Sequence, residues 1–400
     1  MISLEVARDR ILAKLQPLPA EVVPLLRALD RFTAHDIAAG RSVPPFDNSA
    51  FDGYAVRSRD LTAAVPGAPI RLRIAGTAAA GSAPADPFPE GTCFRIYTGA
   101  PMPAGADAVV MQEDTRAEGP DTILLETPIR PWEGVRFLGE DVRAGTRLVS
   151  AGQQLGPTQL SLLAMTGLNR VEVHRAPRVF VLSTGSELIE PGSEPLPGQI
   201  HDSNGILMEA LVARAGAVVA GRSRVTDDPE STFTALADAA CGTDVLVTTG
   251  GVSVGDADLL RPAVERLGGS IDFWRIAMKP GKPFVFGRLF DAWWFGLPGN
   301  PVSAFVTWWQ LVRPALHRLA GGTSVPSRTV PGRLAQSISN RGDRRHFLRV
   351  TLGEDGLVTQ SGTQASHVQS SLALANALLD VPERTTWEAG RDVHVERIDV

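Results

Sequence analysis

The sequence predicts an α/β fold with β-rich additions: a doubly wound sheet domain over 177–325, a helical connector made of 1–45 and 142–176, a β-rich domain inserted at 46–141, and a β-domain over 326–400. Three observations predict it. From Arg178 onward, short apolar runs alternate with segments of helix length, the pattern of a sheet wound on both faces. Between Ile70 and about Val142, and again from about Val325, short β-rich runs are divided by Gly and Pro turns. Between Asp244 and Ser303, three apolar runs each end in a loop of Gly, Ser, Asp, Lys or Pro. In an open α/β sheet, ligands bind beyond the carboxyl ends of the strands, so three such loops on one edge make one site.

The elements follow in order. Leu4, Ala7, Ile11, Leu12 and Leu15 give the N-terminus a helical stripe. After a link around 16–19, residues 28–37 resume that spacing and are expected to form a second helix. Residues 44–57 (PPFDNSAFDGYAVR) are too dense in turn formers for a regular element. The runs 70–76, 92–99, 107–114 and 122–128 are the expected strands of the insert. Residues 155–167 return to helix. A strand at 178–185 is followed by a helix at 204–215 that stops at Gly216. The next strand runs into Asp228 and Pro229, an N-cap and first-turn pair for a helix reaching about Ala240. A closing helix at 301–320 is expected to bend at Pro314.

Composition bounds the function. The 400 residues suffice for two to four domains. Hydrophobic content of 44% and charged content of 21% describe a globular chain, and a net charge of −5 argues against a general nucleic-acid binder. No apolar run approaches the roughly 18 residues needed to span a bilayer, and the charged N-terminus lacks a signal core. Cys93 and Cys241 stand far apart and make neither a disulfide framework nor a thiolate metal site, which fits a cytosolic protein.

The loops carry the chemistry. Thr248-Thr249-Gly250-Gly251-Val252-Ser253 offers amides and hydroxyls to an oxyanion, and also suits a plain strand-to-helix turn. Asp256 and Asp258 follow; a single Asp there caps a helix, while two carboxylates beside a phosphate loop suit Mg²⁺. Lys279-Pro280-Gly281-Lys282 puts two cations on a stiff turn, and its place at the sheet edge favours anion binding over a solvated turn. Glu187 ends another strand and reaches the same edge. His201, Asp202, Ser203 and Asn204 read as a cap region. Neither a nucleophile elbow, a GxGxxG turn nor a P-loop occurs in the right context.

Six motifs occur together in this order: PPFDNSAFDGYAVR, TGAPMPAGADAVVMQED, STGSEL, TTGGVSVGDAD, KPGKP and GLPGNPVSA. Together they resemble the MoeA family, the molybdopterin molybdenumtransferases, which are related to the gephyrin E domain, over about residues 5–380. The resemblance implies insertion of molybdate into adenylylated molybdopterin with Mg²⁺-dependent release of AMP. It implies a MogA-like doubly wound α/β domain, an inserted β-domain and a C-terminal β-barrel-like domain in a cytoplasmic homodimer. The site would be shared between the α/β domain of one subunit and the N-terminal part of the other, with transient contact to a MogA-like adenylyltransferase.

By motif match, the family's catalytic positions fall on Asp52, Thr98, Asp141, Glu187, Asp228, Asp258 and Lys279, with Asp227 as the alternative to Asp228. Glu187, Asp228 and Asp258 form the implied metal set. Gly250, Gly251, Ser253, Arg275, Lys279, Lys282, Pro298, Asn300 and Pro301 match substrate-binding positions. Lys282, Ser303, Arg344 and Ser366 match molybdate-contacting positions. Two departures stand out: Arg275 replaces a lysine common in relatives, and Val368 replaces a gephyrin-type arginine. The implied chemistry suits the residues. The dithiolene of the substrate supplies the sulfur ligands that a cysteine-poor chain lacks, and cleaving a phosphoanhydride asks mainly for charge neutralisation. The rival readings are adenylyl transfer from ATP to molybdopterin and a non-catalytic molybdopterin-binding scaffold.

Overall fold

The computed structural model describes residues 1–83, 86–87, 89–252, 259–323 and 329–398. At its centre lies a six-stranded sheet in the spatial order Val218–Val225, Arg178–Thr184, Val245–Thr249, Ala292–Leu297, Val285–Leu289, Ser270–Trp274. The first four strands are parallel, while Val285–Leu289 runs antiparallel to both its neighbours. Two reversals restore the direction, so Ser270–Trp274 points the same way as the parallel four. The carboxyl ends of all three apolar runs therefore meet at one edge, as the sequence predicts. The doubly wound expectation is corrected in one respect. Residues 285–289, which the sequence reading gave no element of their own, form a strand and make the sheet mixed.

Every residue of Val245–Thr249 is buried, as both-faced packing requires. One face packs on the helices Leu4–Lys14, Ser203–Arg214 and the closing helix. The other packs on Pro229–Ala240 and Leu260–Arg266. Asp228 caps Pro229–Ala240 as expected, its carboxylate accepting from the Ser231 amide at 2.8 Å. The closing helix departs from α-geometry just before Pro314: Pro301–Thr307 passes through a π-turn at Trp308–Val312 into Arg313–Leu319. Pro314 cannot donate to the carbonyl one turn back, and the wider turn accommodates that loss.

The connector is less helical than expected. Residues 28–37 do not form a second helix: Leu25–Ala28 is a single 3₁₀ turn, and Asp30 adopts a φ of 61° that ends it. The apolar residues there pack instead against the Pro157–Met165 helix and the Arg170–His174 strand. Ala20–Pro24 pairs with Arg170–His174, and Ile37–Ala38 with Arg147–Val149, so the chain leaves for the insert and returns from it along paired strands.

The insert builds a second six-stranded sheet, Ala108–Met111, Gly53–Val56, Thr92–Ile96, Ile70–Ala78, Thr122–Leu125, Arg116–Ala117. Gly53–Val56 corrects the reading of 44–57 as irregular. It is fully buried and paired on both sides. Gly53 permits this, because a Cβ there would fall 1.9 Å from the Val110 carbonyl oxygen.

At the C-terminus, Arg345–Leu352, Leu357–Gln360, Thr329–Leu334, Asp392–Arg397 and Ala377–Val381 pair in sequence, and the last pairs back to the first. This closes a small barrel filled by aliphatic side chains. Met278–Lys279 adds beside Arg345–His346, which pins the basic turn of the α/β unit onto the barrel. No helix among the described residues is long and apolar enough to cross a membrane.

Candidate functional site

A cleft of about 770 Å³ opens at the carboxyl edge of the central sheet. Its walls carry Glu187, Asp227, Gly250, Gly251, Pro298, Asn300, Pro301 and Ser303. His367 and Gln369 of the barrel unit form the facing wall.

The glycine turn is shaped by its neighbours. Gly250 and Gly251 have φ values of 86° and 64°, in the left-handed region. A Cβ on Gly250 would fall 2.6 Å from the Thr184 carbonyl oxygen, and one on Gly251 would fall 2.9 Å from the Thr184 hydroxyl oxygen. Only glycines let this turn lie against the end of the neighbouring strand. Thr184 Oγ1 donates to the Thr249 carbonyl at 3.3 Å and ties the two strand ends together.

The acids separate into distinct roles. Asp227 and Ser186 bond reciprocally: the Ser186 amide donates to Asp227 Oδ2 at 3.0 Å, and the Asp227 amide donates to Ser186 Oγ at 2.9 Å. Asp228, expected as a metal ligand, is held at the helix N-terminus by Ser231, and those bonds keep its carboxyl below the usual range. It does not line the cleft; its neighbour Asp227 does. Asp258 and Ser253 lie outside the described residues. Among the described residues no group of three or more His, Cys, Asp or Glu is placed to hold a metal ion.

The Pro298–Pro301 loop joins the cleft to the barrel. Asn300 Nδ2 donates to Ser366 Oγ at 3.0 Å, and the Val302 amide donates to the Ser366 carbonyl at 3.2 Å. Ser366 is thereby held beside the start of the closing helix, one residue from Ser303 in the cleft wall.

The basic residues gather outside the cleft lining. Arg344 Nη1 donates to the Met278 carbonyl at 3.2 Å, and Lys279 pairs in register with His346. The Ile276 amide donates to the Lys282 carbonyl at 3.1 Å, and the next residue, Pro283, lines the cleft. His346 reports the positive field there. Burial, then Lys279, Arg349 and Arg344, push its imidazole down to about 4. Arg275 adopts a φ of 69° and lies 3.8 Å over the Trp274 ring, an arrangement that suits a flat guanidinium.

Asp52 and Thr98 meet in the insert, while Asp141 lies on the segment returning from it, its amide donating to the Val43 carbonyl at 3.1 Å. None of the three lines the cleft. A second cavity of about 710 Å³, between the N-terminal helix, the closing helix and the barrel, contains none of the expected site residues.

Sequence reasoning missed two features. His201, Asp202, Ser203 and Asn204 do form a cap region, but it opens into the cleft. Arg349 is fully buried and donates to the carbonyls of Thr363, Gln364 and Ala365 and to Ser371 Oγ, clamping the segment that carries Ser366 and His367. An arginine on an inward-facing strand position of HFLRVTL was its only signal.

Comparison with known proteins agrees along the whole chain. Residues 2–167 match the MoeA N-terminal region (domain I and II), 180–318 a probable molybdopterin binding domain, and 331–398 the MoeA C-terminal region (domain IV). A molybdopterin molybdenumtransferase of Haemophilus influenzae is 37% identical over 99% of this chain and 98% of its own length. Molybdopterin molybdenumtransferase 2 of Mycobacterium tuberculosis is 40% identical over 90% of both chains. A crystal structure of the MoeA protein from Pyrococcus horikoshii superposes with a TM-score of 0.87 at 34% identity, covering 99% of each chain. The chain belongs to the MoeA family, together with these molybdopterin molybdenumtransferases.

Proposed function

We propose that this protein inserts molybdate into adenylylated molybdopterin and releases AMP, in the cytoplasm, as a homodimer with shared sites. The cleft is the observation that carries the reading. It joins a glycine turn, carboxylates at the ends of neighbouring strands, and a loop bonded to Ser366. Such a cleft suits a phosphate-bearing pterin at one end and an oxyanion at the other.

The donor set fits Mg²⁺ of the kind that takes one or two carboxylates plus substrate phosphates. Glu187 and Asp227 line the cleft and would hold it, with Asp258 added by motif. When bound, the ion would offset charge on the phosphoanhydride. Lys279, Lys282 and Arg275 would balance the remaining negative charge of the pterin phosphates and molybdate. Asp228 serves the same site by fixing the helix behind Asp227.

Asp52, Thr98 and Asp141 are proposed to act across the dimer. The surface around them supports this. Phe46, Phe51, Tyr97, Trp132, Phe137 and Leu138 are all exposed, and Trp132 and Phe137 pack at 5.7 Å beside the Asn48–Ser49 ribbon. Exposed aromatic side chains on this unit suit a contact surface for a partner subunit.

The test is AMP release from purified adenylylated molybdopterin with Mg²⁺, with and without molybdate. Molybdate-dependent release is expected. ATP-dependent formation of the adenylylated pterin instead would establish the adenylyltransferase reading, and binding without release would establish the scaffold.

A further inference from the structure

Asn204 has no part in the substrate contacts assigned above, yet it joins two walls of the cleft. It is the second residue of the Ser203–Arg214 helix, and its Nδ2 donates to the Gly299 carbonyl at 2.7 Å. The donor is held from behind. Asp202 is fully buried, accepts from the Gly205 amide at 2.8 Å and lies 3.5 Å from Arg222. Arg222 also pairs with Glu209 at 3.1 Å and with Glu190. A helix start anchored to a three-carboxylate network offers a fixed point.

The acceptor lies against the glycine turn. A Cβ at Gly299 would meet only the Gly250 Cα, at 3.6 Å, so no side chain separates the two loops. The next residue, Asn300, reaches Ser366. One side-chain amide therefore sets the Pro298–Pro301 loop relative to the glycine turn on one side and the barrel segment on the other.

We propose that Asn204 is a positioning residue for the transfer reaction, acting by holding the Gly299 carbonyl. The inference rests on the function proposed above for this cleft. Its effect on the loop is independent of that function, and the experiment separates the two.

Asn204→Ala removes the donor; Asn204→Asp keeps the shape and sets a carboxylate against the carbonyl. In the full-length protein, without ligand, deuterium exchange is expected to rise severalfold in peptides covering 298–305 and 362–371. It should stay unchanged in the Val245–Thr249 strand and, because Asp202 still caps it, in the Ser203–Arg214 helix. In the AMP-release reaction kcat/KM is expected to fall about tenfold in the alanine variant, chiefly through kcat, and further in the aspartate variant. Unchanged exchange at 298–305 would overturn the proposal, as would an aspartate variant with wild-type turnover. Faster exchange along the 203–214 helix would assign Asn204 to helix stability instead. If the wild type released no AMP, the transferase reading would fail while the exchange data still decided the role of Asn204.

Discussion

Thr98 donates twice to the same carboxylate oxygen of Asp52, from its amide at 2.8 Å and from its hydroxyl at 2.9 Å. These bonds favour the charged form and hold the Asp52 carboxyl below the usual range. Thr98→Val keeps the amide bond and loses the hydroxyl. The Asp52 titration, followed by carboxyl NMR, is expected to move up towards the ordinary aspartate value. Because the folded state holds Asp52 at a depressed pKa, its contribution to stability is present above the unfolded value and lost as pH falls through the folded one. Thr98→Val should narrow that acid window. An unmoved titration would show that the amide alone sets it.

Gly250 makes the second prediction. Its φ of 86°, and a Thr184 carbonyl oxygen only 2.6 Å from where an alanine Cβ would sit, leave no room for a methyl group. Gly250→Ala is expected to cost roughly 1–3 kcal/mol in denaturant unfolding. AMP release should fall more than stability alone explains, because the turn must move into the cleft to relieve the contact. Wild-type activity at reduced stability would remove the turn from the site.

Much of this was legible before the structure, and the boundary is physical. Asp228 with Pro229 announces a helix start because both signals act within one turn of chain. The loop-ended runs announce a sheet edge because side-chain alternation and loop composition are local. What stayed hidden depends on distant partners. Gly53–Val56 reads as a turn until Val110 is known to lie against Gly53. Asn204 reads as a cap residue until Gly299, 95 residues away, is brought to it. Arg349 is one more residue of a β-rich run until Thr363, Gln364 and Ala365 fold over it.

That buried guanidinium carries the third prediction. Arg349 meets carbonyls and a hydroxyl, with no carboxylate partner among the described residues, and burial pushes its pKa down to about 10. Arg349→Met would leave those carbonyls buried and unpaired. A loss of roughly 3 kcal/mol is expected. Exchange should quicken first in 362–371, before the barrel strands. Uniform loosening of the barrel would mean that Arg349 supports the core and not the loop.

The fourth prediction concerns acid stability. His346 is pushed down to about 4 in the folded protein, below the ordinary imidazole value of 6.5. A depressed imidazole takes up its proton more readily when unfolded. Its contribution is therefore fully present above about pH 6.5 and is lost as pH falls from there towards 4. The loss should amount to roughly 1–2 kcal/mol, allowing for partial solvent screening. His346→Gln should flatten the stability profile across that window. Lys279→Ala removes one of the positive neighbours and should raise the His346 titration. An unchanged titration would place Lys279 too far from the ring to matter.

The shared site is tested by complementation. Glu187 lines the cleft at the sheet edge, whereas Asp52 belongs to the insert and does not line it. If a working site takes Glu187 from one subunit and Asp52 from its partner, Asp52→Asn and Glu187→Gln proteins are each inactive alone. After subunit exchange, every mixed dimer has one site carrying both changes and one carrying neither. Random exchange in a two-fold dimer then restores about one quarter of the sites. The measurement is AMP release before and after exchange, with heterodimer formation followed by differently sized tags. Recovery to that level requires sites built from both chains. Confirmed heterodimers without recovered activity would place Asp52 and Glu187 in the same subunit's site, and the exposed aromatic surface of the insert would then need another partner.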